Sequence, residues 1–535
     1  MLHAQSRTAL WNDETQSERA LQIGKVQNLR VASRRLNRVL IPGGQVFSFW
    51  KQVGRATTRR GFARGRLLRE GCLMPAVGGG LCQLSNALYD VALQAQLEIV
   101  ERHAHSQIVP GSQAQSGRDA TVAWNYVDFR FRAPCDLLLR TSLTRDELVV
   151  QLWAKTPKPA APNVVFEPQK TARPRLDVPV HSCASCAQTA CFRHRESETV
   201  VGKTAFLLDE PWPEWQDFVR AQIGGDDDVL VPLRAESWVG KRARNSWKTH
   251  DFKTVFEART AALWRSFQAR RQGNLGAQRL NAQLETTELL SRALAKKLAH
   301  DATHVVVAQS FLPFLWRDGA LGGRTFDVLM TRLPFHELHR RLDAQSAIHP
   351  ERATLREFRA PQKLVETERT ALQNARFLVS PHPKIAVLFA NRVLDLSWKT
   401  QTRQQRVTTR NRIVLFPGPT AARKGAYELR EVARALKLEV WLWGSELEGD
   451  DFWRGLKTRR VEKSRCDAWI NQVAAVVQPA LAEDCPRFLL EAWSRGVPII
   501  ATAACGLNDL DGVQIVPFGD EKALQNAILN ALVPN

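Results

Sequence analysis

From about residue 198 onward the chain repeats one unit, a short continuous apolar run followed by a stretch with helical spacing. The runs fall at 204–208, 229–233, 304–308, 326–330, 376–380, 412–416, 438–443, 474–479, 498–502 and 513–516. A strand that is apolar on both faces must be covered on both faces. Helices between successive strands do this when the strands run parallel. The repeat predicts two parallel α/β domains of Rossmann-like type, over 198–385 and 386–535.

The first third has a different texture. Residues 1–26 read as a loosely ordered lead-in, and 27–155 as an α+β domain with strands at 121–124, 127–132, 137–139 and 148–153. Residues 156–197 begin as a linker rich in proline, from Pro157 to Pro179. The linker ends in Cys183, Cys186, Cys191 and His194, two pairs at the same short offset. Four such ligands within twelve residues suit a tetrahedral zinc knuckle, with an iron–sulfur cluster as the rival occupant. The fold class is therefore multidomain, one α+β domain followed by two α/β domains.

Within the α+β domain, Gly78-Gly79-Gly80-Leu81-Cys82 precedes Leu84, Leu88, Val91, Ala92 and Ala95, which recur at helical spacing. Cys82 is thus expected at a helix start, where unpaired N–H groups and the dipole favour a thiolate. If 97–105 is a strand, His103 and His105 share one of its faces. Asp119 and Asp128 follow. Cys82, His105 and Asp119 are the parts of a cysteine nucleophile site. Two other readings stay open: a cysteine that is simply a small buried residue, and a metal site of Cys82, His103 and His105.

The formal net charge of +21 favours an anionic partner, such as an acidic glycan or a phosphate-linked precursor. Nucleic acid is disfavoured, because no recognised module and no aromatics interleaved on a basic stripe accompany the charge. Between Lys51 and Glu70, the cations Lys51, Arg55, Arg59, Arg60, Arg64, Arg66 and Arg69 face one acid. Such a run is more often a solvated face than a groove. The first eighteen residues are polar, with no apolar leader pattern, and no stretch approaches the length that spans a bilayer. The expectation is a cytoplasmic protein, drawn to the inner membrane surface by charge. The nine cysteines are scattered except for the three in the linker cluster, which argues against a disulfide framework.

In the last domain, Phe416-Pro417-Gly418-Pro419 follows a strand and Arg423-Lys424-Gly425 opens a helix. Ligands of open parallel sheets bind at the carboxyl ends of strands, and a basic helix start there suits a diphosphate. Glu483 and Glu491 stand eight residues apart, the first in a loop and the second on a helix.

Two resemblances follow from these motifs. Residues 28–32, 41–49, 53–55, 78–85, 101–106 and 117–122 together resemble the VanW family, named from vancomycin-resistance gene clusters. That resemblance implies a cell-envelope connection. The Glu483–Glu491 pair, Val477-Gln478-Pro479, the Lys424-Gly425 step and 495–502 resemble GT-B glycosyltransferases of retaining family 4. That resemblance implies a nucleotide-sugar donor. It places Lys424 on the donor diphosphate, Arg423 as a substitute for the family's arginine, Glu491 on the ribose, and Glu483 on the donor sugar as a catalytic residue.

This chain departs from the family at Pro419 and at Asp484, which stands where glycine usually follows the first glutamate. Gly322-Gly323 is the only candidate for a glycine-rich acceptor loop. No obvious Asp-x-Asp metal motif supports a metal-dependent transfer. The expected function is a VanW-like domain fused to a glycosyltransferase acting on a cell-envelope glycan or its precursor. The alternatives are a non-catalytic anionic-glycan binder and a cysteine-dependent hydrolase or amide transferase.

Overall fold

The computed structural model describes residues 1–11, 16–69, 72–105, 113–155, 181–182, 186, 188, 190–191, 202–238, 240–242, 246–271, 276–389, 391–405, 411–462 and 469–532.

The N-terminal domain is built on strands β1 (Leu2–Ala9), β2 (Val39–Ile41), β3 (Val46–Ser48), β4 (Arg64–Arg69), β5 (Cys72–Val77), β6 (Glu98–Glu101), β7 (Arg130–Arg132), β8 (Leu137–Leu143) and β9 (Glu147–Ala154). Its helices are α1 (Gln16–Leu36), the short α2 (Phe49–Val53) and α3 (Cys82–Gln94). One antiparallel sheet has the order β1-β9-β8-β2, and a second has β3-β7-β6. β4 and β5 form a hairpin, joined by the two-residue strand His181–Ser182 parallel to β5. Leu29, Ala32 and Leu36 of α1 pack with Leu84, Leu88, Val91 and Ala92 of α3 and with Phe47, Phe129 and Phe131 in one core.

Residues 1–9 are no lead-in. β1 pairs with β9 from Leu2↔Trp153 to Ala9↔Glu147. The inward face of β1 is Ala4, Ser6 and Thr8, so its period of two is written in small and polar residues.

The two α/β domains follow as expected. Seven parallel strands take the spatial order Thr254–Glu257, Asp228–Val231, Lys203–Leu207, Ala302–Ala308, Thr325–Leu329, Leu378–Ser380, Val393–Asp395. Six more take the order Lys457–Arg460, Glu439–Leu442, Ile413–Phe416, Ala475–Gln478, Ile499–Ala501, Val513–Ile515. In each sheet the first strand in sequence is central and the order reverses there, which opens a crevice at the carboxyl ends of the strands. The boundary lies later than 385, because Val393–Asp395 pairs with Leu378–Ser380 in the first of these sheets.

The N-terminal domain docks on the first α/β domain through the Gly322-Gly323 turn. Arg30 Nε of α1 donates to Gly322 O at 2.8 Å, and Gly323 N donates to Thr144 O at 2.7 Å. A Cβ on Gly322 would lie 2.8 Å from Leu143 Cβ. One on Gly323, whose φ is +68°, would lie 2.4 Å from Val26 Cγ1. The turn that sequence offered as an acceptor loop is thus committed to holding two domains together. Among the described residues no helix is long and apolar enough to cross a membrane.

Candidate functional site

The glycines before Cys82 are required by close approach. Gly78 and Gly80 have φ of +82° and +91°, and a Cβ on Gly79 would sit 2.4 Å from Gly65 O. The turn thereby nests between the β4–β5 hairpin and α1, whose Asn28 Nδ2 donates to Gly79 O at 2.9 Å. Cys82 is the first residue of α3, where backbone N–H groups lack intrahelical acceptors.

Cys82, His105 and Asp119 meet as one relay. Cys82 Sγ sits 3.7 Å from Thr121 Oγ1 and 3.9 Å from Val122 O, with the His105 imidazole near enough to act on the thiol. His105 Nδ1 bonds Asp119 Oδ1, and His105 N donates to Asp119 Oδ2 at 2.8 Å. Asp119 is buried, and Arg102 Nε donates to its carbonyl at 2.6 Å. Burial alone would raise the Cys82 thiol, but the hydrogen bond and charge of His105 override it and bring the thiol below its ordinary value. Burial would likewise lower His105; its bonds to Asp119 and Cys82 win and raise it to about 10. Burial would raise Asp119, and the His105 partner holds it below its ordinary value. The electrostatics thus favour the thiolate on Cys82 and the protonated imidazole on His105, beside a carboxylate.

Two expectations change here. β6 ends at Glu101, so His103 and His105 lie in coil and share no strand face. His103 is exposed beside Glu101, at 3.5 Å, so the Cys82–His103–His105 metal reading fails. Asp128 instead caps α2, accepting from Ser48 Oγ and from Trp50 N at 3.1 Å.

The relay opens into a cavity of about 880 Å³ lined by Arg7, Thr8, Lys25, Trp50, Arg55, Arg66 and Trp124, among others. Of the basic run 51–70, only Arg55 and Arg66 reach it. β1 supplies one wall, clamped by Gln83 Nε2, which donates to Thr8 Oγ1 at 2.9 Å and Ala9 O at 2.7 Å.

In the second α/β domain, the strand Ile413–Phe416 leads into a 3-10 turn, Ala422–Lys424, and then Gly425 at φ +81°. A Cβ there would meet Pro479 O at 2.1 Å. Lys424 Nζ pairs with Glu483 Oε2 at 2.6 Å, Gln478 Nε2 bonds the same oxygen, and Cys485 N donates to Glu483 Oε1 at 3.2 Å. Burial would raise the Glu483 carboxyl; Lys424 overrides it and holds it below the ordinary range. Arg423 packs its guanidinium 4.5 Å from the Phe358 ring, and its Nε has no hydrogen-bond partner among the described residues. Glu491 accepts from Arg495 at 3.3 Å, one turn further along its helix. Lys424 and Glu483 are thus brought together, with Arg423 beside them, while Glu491 engages a different cation.

Asp484 has a role of its own. Its Oδ1 accepts from Leu333 N at 2.9 Å, tying the Glu483 loop to the first α/β domain. Sequence reading missed the other groups at this junction. His382 accepts from Lys384 N on Nδ1, so its Nε2 donates to Glu483 O, at 2.9 Å. Arg487 donates to Glu214 Oε1 at 2.9 Å and lies near the Trp212 and Trp398 rings. Glu210, raised to about 7 by burial and by Asp209, follows the first strand directly. That position, at the carboxyl end of the first apolar run, was the signal that could have found it.

Cys183 and His194 of the expected knuckle lie outside the described residues; Cys186 and Cys191 are half-buried. Among the described residues no group of three or more His, Cys, Asp or Glu side chains is placed to hold a metal. The zinc expectation is therefore not supported.

Residues 24–153 match the family described as VanW like protein, and residues 411–533 match glycosyl transferases group 1. The chain is 35% identical over 153 residues to the vancomycin B-type resistance protein VanW of Enterococcus faecalis, covering 27% of this chain and 55% of that protein. It is 31% identical over 129 residues to YoaR of Bacillus subtilis, covering 24% and 42%. The chain thus spans about half the length of the curated relatives it matches. Among solved structures, sucrose-phosphate synthase from Thermosynechococcus elongatus aligns with a TM-score of 0.41 and 14% identity, over 62% of this chain and 90% of that one. HepE of Anabaena in complex with UDP aligns at 0.36 and 12%, over 62% and 90%. Residues 24–153 are thus similar to the VanW-like family, and residues 411–533, which fall in the second of the two α/β domains, to glycosyl transferases group 1.

Proposed function

We propose that this protein transfers a glycosyl group, with retention, from a nucleoside-diphosphate sugar to a cell-envelope glycan or its phosphate-linked precursor. The observation that carries this reading is the Lys424–Glu483 pair at the carboxyl ends of the second parallel sheet, fastened to the first α/β domain through Asp484. In the transfer, the bond from the sugar's anomeric carbon to the diphosphate breaks, a bond to the acceptor oxygen forms, and the acceptor hydroxyl's proton passes to the leaving diphosphate. Lys424, with Arg423 beside it, offsets the charge that develops on the leaving diphosphate. An entering diphosphate competes with Glu483 for the Lys424 ammonium, so donor binding frees the carboxylate to face the sugar. Glu491 grips the ribose hydroxyls. The test is release of free nucleoside diphosphate from a panel of nucleotide sugars by the full chain. Release that is lost in Lys424→Ala and Glu491→Ala supports the reading. Donor binding without release across the panel leaves a glycan-binding protein instead.

A second activity is favoured by a separate observation, the Cys82–His105–Asp119 relay at the mouth of a cavity. We read it as a thiol nucleophile for acyl transfer or hydrolysis. Cys82 alkylating with iodoacetamide no faster than Cys72 or Cys135 removes this reading.

A further inference from the structure

The cavity in front of Cys82 has a composition that the relay does not need. Four cationic side chains line it: Arg7 from β1, Lys25 from α1, Arg55 from the loop after α2, and Arg66 from β4. No aspartate or glutamate is among the described lining residues. Glu147 is 2.8 Å from Arg7 and Glu18 is 3.8 Å from Arg66, and neither glutamate is among the described lining residues. Arg55 is exposed at the mouth. The thiolate and the imidazolium cancel, so the lining as a whole presents positive potential. Low-dielectric walls focus that potential into the cavity.

The opposite rim is apolar. Trp50 and Trp124 meet edge to face, with ring centroids 5.5 Å apart. Trp50 is fixed by Nε1, which donates to Val127 O at 2.8 Å, whereas Trp124 is 45% exposed. Leu67 and Val77 on the hairpin are also exposed for their size. A soluble surface gathers such groups around a concave site when a ligand covers them.

We propose that this cavity selects an acyl donor that carries a carboxylate or phosphate close to its reactive carbonyl and an apolar or ring-shaped flank. This rests on the reading of Cys82 as a nucleophile. The anion sits against Arg55, Lys25 and Arg66, the flank sits on Trp50 and Trp124, and the carbonyl lies at the start of α3. The Cys82 sulfur attacks the carbonyl carbon, forming a C–S bond. The bond to the leaving amine or alcohol breaks, and the His105 imidazolium gives that group its proton. Water or an incoming amine then attacks the thioester. It gives its proton to His105, and the sulfur leaves as thiolate, which restores the starting pair. Asp119 holds the imidazole throughout.

The test uses the full chain and three methanethiosulfonates that differ in charge: sulfonatoethyl, methyl and trimethylammonioethyl. Each forms a disulfide with Cys82 and releases methanesulfinate. Rates are read by mass spectrometry of the Cys82 peptide and divided by the rates of the same reagents with free cysteine. The expected result is an anionic-over-cationic preference of about tenfold or more at low ionic strength, shrinking in about 0.5 M salt. Arg55→Glu, at an exposed position, removes or inverts the preference, and Arg55→Gln reduces it. A ratio near one, or a ratio that Arg55→Glu leaves alone, overturns the proposed substrate class while a fast neutral reagent keeps the nucleophile. A neutral reagent no faster at Cys82 than at Cys72 or Cys135 overturns both.

Discussion

Lys424 Nζ lies 2.6 Å from Glu483 Oε2, and both side chains are nearly sealed from solvent. Each charge is tolerable there only because the other is present. Glu483→Gln strands the ammonium, so it should cost about 3–5 kcal/mol of stability. The double variant Lys424→Met/Glu483→Gln removes both charges and should recover much of that loss. Denaturant unfolding of the two variants checks this; equal losses would mean that the pair is solvated. Because the folded carboxyl is held below its unfolded value, the pair's contribution is present above the unfolded value. It is lost as pH falls through the folded one.

The thiol relay predicts an unusual pH profile. With Cys82 lowered and His105 raised to about 10, the thiolate–imidazolium pair persists from the depressed thiol value up to about pH 10. Alkylation of Cys82 by iodoacetamide should therefore set in below the pH of an ordinary thiol, then change near pH 10 as the imidazolium loses its proton. The stability that His105 contributes runs the same way, being full below its unfolded value and lost as pH rises toward about 10. A single alkylation rise at the ordinary thiol pKa would rule the pair out.

Asp119→Asn keeps the shape and removes the charge. His105 then loses its largest support against burial, so its titration should move down from about 10. Alkylation at pH 7 should fall by about tenfold or more as the thiol rises with it. Histidine NMR titration and the alkylation rate measure the two effects independently. The same variant should leave nucleotide-sugar turnover unchanged, because the two sites share no residue.

Gly323→Ala places a methyl group 2.4 Å from Val26 Cγ1 at a left-handed backbone position. The expected cost is about 1–3 kcal/mol, felt at the docking of the N-terminal domain. Calorimetry should show the melting of the N-terminal domain move to lower temperature, and proteolysis should quicken near the Gly322-Gly323 turn. An unchanged melt would show that the turn yields freely.

How much of this was legible in the sequence depended on whether the signal was apolar. The ten apolar runs gave the inner strands of the two parallel sheets, because continuous Val, Ile and Leu leave few alternatives, but not the edge strands Thr254–Glu257, Val393–Asp395 and Lys457–Arg460, which are more exposed and less apolar. The Gly78-Gly79-Gly80-Leu81-Cys82 stretch gave the start of α3, and the spacing after two strands pointed to Lys424 and Glu483, which the fold brings into contact. β1 was illegible, since Ala4, Ser6 and Thr8 face inward and carry no hydrophobic alternation. The partner of His105 was found only among two candidates, and coordinates chose Asp119 over Asp128 through contacts distant in sequence. The Gly322-Gly323 turn looked like a ligand loop because glycine reports a close approach without saying what approaches.

The strand β1 lies wholly outside the span 24–153 that matches the VanW-like family. A fragment excised at that boundary would strip Arg7, Thr8 and Ala9 from the cavity wall. It would also bare the backbone of β9, an invitation to edge-to-edge aggregation. Expression trials guided by the matched span alone would yield an insoluble or inert product. A stand-alone thiol domain has to keep its first nine residues.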